Sequence, residues 1–89
     1  MNTDMPLVLV EWVDIESEAG WQDFDDASKK KGSQCEGVGY IVFEDKDVIV
    51  LAQNISMPLI LGIHTYPRGC VKSIKVLRIG GDYKRGRKK

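Results

Sequence analysis

No lysine or arginine occurs in residues 1–28, and after residue 50 the shortage changes sign, Asp82 being the one acid in residues 51–89. Residues 1–50 hold 12 acids against 4 lysines, a net of −8, and residues 51–89 hold 1 acid against 9 Lys/Arg, a net of +8. The formal net charge of +0 hides this polarity. Such polarity decides which partners can approach each surface and says little about the fold.

Other scarcities close off whole classes of chemistry. The two cysteines, Cys35 and Cys70, form no C-x-x-C pair and have no second pair to complete a zinc site. In a reducing compartment both read as small buried hydrophobes, a disulfide between them being left to geometry. One histidine, His64, stands in an apolar run six residues before Cys70, with no nearby Asp or Asn to orient an imidazole. The bland reading, a strand histidine and a structural thiol, is therefore preferred and no enzyme is expected. Asp14, Glu16 and Glu18 alternate, but they lack the glycine-pinned loop and ligand count of a calcium site. No phosphate-binding glycine loop occurs, and no metal or cofactor is expected. No apolar run approaches the ~20 residues that span a bilayer. The start is acidic rather than basic-then-apolar, so a cytoplasmic location is the expectation.

The residues that are present read as β structure. Residues 6–15 open on a proline and are rich in β-branched and aromatic types, which predicts a strand. Residues 37–43 and 48–53 flank the polar turn Glu44-Asp45-Lys46-Asp47, a hairpin signal. Residues 59–65 form a fourth run and residues 71–79 a fifth, joined by Tyr66-Pro67-Arg68-Gly69-Cys70, where Pro and Gly suit a tight turn. Between the first two strands, Trp21, Phe24 and Ala27 share a helical face. Asp23, Asp25 and Asp26 precede Lys29–Lys31 as the helix dipole prefers, which predicts a short helix over residues 21–32; an acidic loop is the competing reading. Gly37 and Gly39 mark a bulge or sharp bend. Five short strands with one longer excursion after the first predict a small closed or half-closed antiparallel barrel, closure also removing exposed edges. A split sheet with one packed helix is the alternative. Residues 1–79 are expected to form this one domain, and residues 80–89, which lack periodicity, a disordered basic tail.

The pattern Glu11-Trp12-x-Asp14, Gly20-Trp21, Val38-Gly39-Tyr40-Ile41, Glu44-Asp45, Ile49-x-Leu51-Ala52 and Tyr66-Pro67-x-Gly69-Cys70-Val71-x-x-Ile74-x-x-Leu77 resembles a loose group of small bacteriophage proteins over residues 8–78. The Pro-x-Gly-x-Val stretch is also similar to the 3₁₀ turn before the last strand of SH3-like barrels. This resemblance implies a phage origin, hence a host-cell cytoplasm, and an SH3-like barrel. It implies no reaction.

Three functional readings follow. In the first, a non-enzymatic module docks on a host protein through an acidic, Trp-containing surface made of Trp12, Asp14, Glu16, Glu18, Trp21, Asp25 and Asp26, since Trp is enriched at binding hot spots. A solvated acidic face is the plain alternative. In the second, an accessory protein binds nucleic acid through the basic last strand (Lys72, Lys75, Arg78) and the tail (Tyr83, Lys84, Arg85, Arg87, Lys88, Lys89), by counterion release and stacking. Nothing resembles a base-reading motif, and a basic tail can also be a solubilising end. In the third, a homo-oligomer sequesters a small nucleotide signal between subunits. No membrane partner is expected.

Overall fold

A computed structural model describes residues 5–17 and 19–84. The chain is mainly β: five antiparallel strands in a single sheet. Strand β1 (Leu7–Asp14) leads through a long excursion into β2 (Ser33–Glu44). A turn at residues 45–47 leads to β3 (Val48–Ser56), which folds back at Met57-Pro58 into β4 (Leu59–Pro67). A 3₁₀ turn (Arg68–Cys70) then delivers β5 (Val71–Val76). The hairpin turn is held by Asp45, whose Oδ1 accepts from the Asp47 and Val48 amides at 2.8 and 2.9 Å. Arg68 ties the next turn to it, donating to Glu44 Oε1 at 2.8 Å and to the Asp45 carbonyl at 3.0 Å. No helix among the described residues is long and apolar enough to cross a membrane.

The spatial order is β4-β3-β2-β1-β5. The last strand therefore returns beside the first, after the 3₁₀ turn. Closure does not follow: β4 and β5 are the two edges and the sheet is open. Alternation builds the core on one face. Val8 and Val10 from β1, Ile49 and Leu51 from β3 and Tyr66 from β4 are its buried members, with Trp12, Ile41, Val71 and Ile74 packed around them. Each fully buried Val, Leu or Ile contributes about 1.5–3 kcal/mol, so few side chains carry the fold.

The sheet also divides. β2 pairs with β3 only from Tyr40–Ala52 to Glu44–Ile49, while residues 33–39 of β2 pair with β1 alone. Beyond Ala52, β3 pairs with β4 alone, up to Ser56–Leu59. The distal part of this hairpin is thus a two-stranded arm. The bulge falls between Ile41 and Phe43, not at Gly37 or Gly39. The radius of gyration, 17.7 Å, exceeds the roughly 12 Å of a compact chain this long, because the arm, the excursion and the segment after β5 reach beyond the core.

The predicted helix over residues 21–32 is corrected to a single turn, α1 (Phe24–Ala27). Asp23 caps it, accepting from the Asp25 amide at 3.2 Å. The turn buries no residue, and Trp21 and Phe24, expected to share a packed face, are 104% and 83% exposed. Asp is a poor interior helix former and nothing in the sheet receives the apolar face, so the helix does not propagate. The last strand stops at Val76 rather than residue 79.

Candidate functional site

A cleft of about 620 Å³ opens where the sheet divides. The same alternation that buries Val8 and Val10 places Trp12 and then Asp14 on its wall. From the other side, β4 contributes Tyr66 and His64, the register partners of Ile49 and Leu51. The Trp12 and Tyr66 rings meet edge to face, with centroids 5.3 Å apart and planes at 63°. His64 lies parallel to Tyr66, 6.4 Å away at 19°. Burial, with a smaller effect from Cys35, pushes the Tyr66 phenol above its ordinary value, so the ring enters the site neutral.

The third wall is backbone. Residues 36–38 of β2 line the cleft on the side where they have no strand neighbour. Glu36 itself pairs with Glu11, which sets its side chain on the opposite face of the ladder from Trp12. At Gly37 a Cβ would collide with the Tyr66 hydroxyl, so glycine there is what lets the phenol lie across β2. The cleft thus combines an apolar aromatic floor, one carboxylate at the rim and a free strand edge.

The described residues of the acidic surface expected from the sequence are spread over different elements. Trp12 is half-buried in the cleft with Asp14 beside it. Glu16, exposed, accepts from the Ser33 hydroxyl at 3.0 Å where the excursion rejoins the sheet. Trp21, Asp25 and Asp26 stand exposed on the excursion, apart from the core. Glu18, like Arg85, Arg87, Lys88 and Lys89, lies outside the described residues. Cys35 and Cys70 are free thiols and half-buried, not fully buried as expected; Cys70 and His64 both line the cleft. No cluster of three or more His, Cys, Asp or Glu able to hold a metal occurs among the described residues.

The basic residues of β5, Lys72 and Lys75, are exposed, and each meets a side chain of another strand. β5 lies against β1, so Lys75 Nζ comes within 3.7 Å of Glu11 Oε1, and the Ser73 hydroxyl donates to the same oxygen. Lys72 donates to Gln34 Oε1 at 3.3 Å. Arg78, Tyr83 and Lys84 are exposed beyond the strand.

Sequence reasoning missed Tyr66, His64 and Gly37 as parts of one site. The available signal was alternation in β4, where Ile60, Gly62, His64 and Tyr66 fall on one face. No protein-family model, no curated protein and no solved structure matches the chain.

Proposed function

We propose that the chain is a non-enzymatic binding module, of the bacteriophage kind its sequence resembles, that docks on a host protein bearing a basic, extended segment. The observation that carries this reading is the cleft, where the Trp12–Tyr66 pair, the Asp14 carboxylate and the free edge of residues 36–38 converge. An extended segment can add to a strand edge through its backbone while side chains fill the neighbouring pocket. Residues 14–26 carry Asp14, Glu16, Glu18, Asp23, Asp25 and Asp26 and no Lys or Arg, which favours a cationic partner. Exposed Trp21 and Phe24 supply a second apolar contact beside those acids. The nucleic-acid reading loses support at β5, where Glu11 already answers Lys75.

The test is capture of partners from bacterial lysate with the tagged full chain, with and without nuclease, followed by affinity measurement on the purified partner. A stoichiometric protein that survives nuclease is expected. Its affinity should fall at least tenfold in Asp14→Lys and in Trp21→Ala, both exposed sites whose change leaves the core intact. Recovery that collapses with nuclease, or affinity unchanged in both variants, would refute the proposal.

A further inference from the structure

The β3–β4 arm is where the molecule departs most from what a solitary chain tolerates. It is a two-stranded ribbon beyond Ala52, and isolated ribbons are marginal in water. Its β4 strand is apolar on both faces, Leu59, Leu61 and Ile63 on one and Ile60 on the other, with Met57 at the tip, while β3 sets the uncharged Asn54 and Ser56 opposite Leu61 and Leu59. Met57, Leu59 and Leu61 are 63%, 71% and 69% exposed.

The two sheet edges differ in charge. Natural edges are blunted by charge, above all by lysine. The β5 edge has Lys72 and Lys75. The β4 edge has no charged residue from Leu59 to Pro67, and residues 51–66 contain no Asp, Glu, Lys or Arg at all. A surface with no charge can meet its own copy without like-charge repulsion, and an antiparallel edge is self-complementary about a two-fold axis. A head-to-tail contact would instead bring the lysines of β5 onto an edge that offers them no carboxylate.

We propose that a second copy of this chain pairs with the arm along its free edge, β4 running antiparallel to β4 of its partner. The two sheets then form one continuous sheet, and Leu59, Leu61 and Ile63 become interface residues. This does not depend on the cleft's ligand, so it stands or fails separately from the docking proposal.

Sedimentation equilibrium on the full chain at micromolar concentration tests it. The expected mass is twice the 10.0 kDa of one chain. Leu59→Glu with Leu61→Glu, which places charge on exposed positions, should give a folded monomer, whereas Lys75→Glu on the other edge should leave the dimer intact. Hydrogen exchange on the unmodified protein provides a readout that survives misfolding of the variant. Every second amide of Leu59–Pro67 points away from β3, and those amides should be protected to the same degree as the inward ones. A monomeric wild-type chain, a higher closed ring, a dimer indifferent to the β4 charges, or fast exchange at the outward amides would each overturn the proposal.

Discussion

At Gly37 the backbone passes so close beneath the Tyr66 hydroxyl that any side chain would meet it. From the sequence this glycine reads as a bulge, because the pattern around it is local and its neighbour in space comes from a strand far along the chain. Trp12, read from the sequence as part of an acidic docking surface, is packed against the core at the end of the Val8-Val10-Trp12 alternation. The consequence is a coupled pair. Gly37→Ala should destabilise the fold by about 1–3 kcal/mol, as overpacking does. Tyr66→Phe removes the colliding oxygen, so the double variant should recover a good part of that loss. In urea unfolding of the four proteins, a coupling of at least ~0.5 kcal/mol is expected. Strict additivity would mean that the phenol does not lie over Gly37.

The elements were legible where residue type and local turn chemistry agree. Pro-flanked β-branched runs became strands, Glu44–Asp47 became a hairpin turn, and Tyr66-Pro67-Arg68-Gly69-Cys70 became a strand end and a 3₁₀ turn. Legibility failed where tertiary contact decides. The Asn54–Pro58 stretch reads as a connection, yet its residues extend β3 to Ser56 and turn sharply at Met57-Pro58. Helical spacing of Trp21, Phe24 and Ala27 implies a packed face, but packing rather than spacing propagates a helix, and the sheet offers this one no seat. The described residues of the excursion between Ile15 and Lys31 are all exposed. Replacing residues 19–31 by a short Gly/Ser link should therefore change the unfolding free energy by less than about 1 kcal/mol, the scale of a change in loop-closure entropy. Partner affinity should fall in the same variant. A stability loss above ~2 kcal/mol, measured by urea titration, would show that Trp21 or Phe24 packs against the sheet in solution.

Across the whole molecule, the charge polarity so plain in the sequence is partly cancelled by topology. Returning β5 to the side of β1 brings Lys75 to Glu11, and the 3₁₀ turn brings Arg68 to Glu44. Which strand lies beside which is a long-range choice that charge counting does not reveal. The Glu11 contacts, and the local turn around Asp45, make stability depend on acid. The Ser73 hydroxyl first, and Lys75 second, hold the Glu11 carboxyl below its ordinary 4.5. The Val48 and Asp47 amides, with Arg68 a smaller influence, hold Asp45 below 3.8. A carboxyl whose folded value is depressed binds its proton more readily in the unfolded chain. Its contribution is therefore complete above the unfolded value and is lost as pH falls through the folded one. Unfolding free energy should be flat near neutrality and begin to fall as pH drops through about 4.5. Tyr66 acts in the opposite direction at the basic end, its raised value withdrawing stability as pH climbs past 10. Ser73→Ala removes the largest influence on Glu11. Carboxyl NMR titration should then place Glu11 closer to an ordinary glutamate, and the acid slope of stability should become shallower. An unchanged Glu11 titration would place the β1–β5 register, rather than the electrostatics, in error, because the hydroxyl reaches that carboxylate only if Glu11 and Ser73 are partners across the ladder.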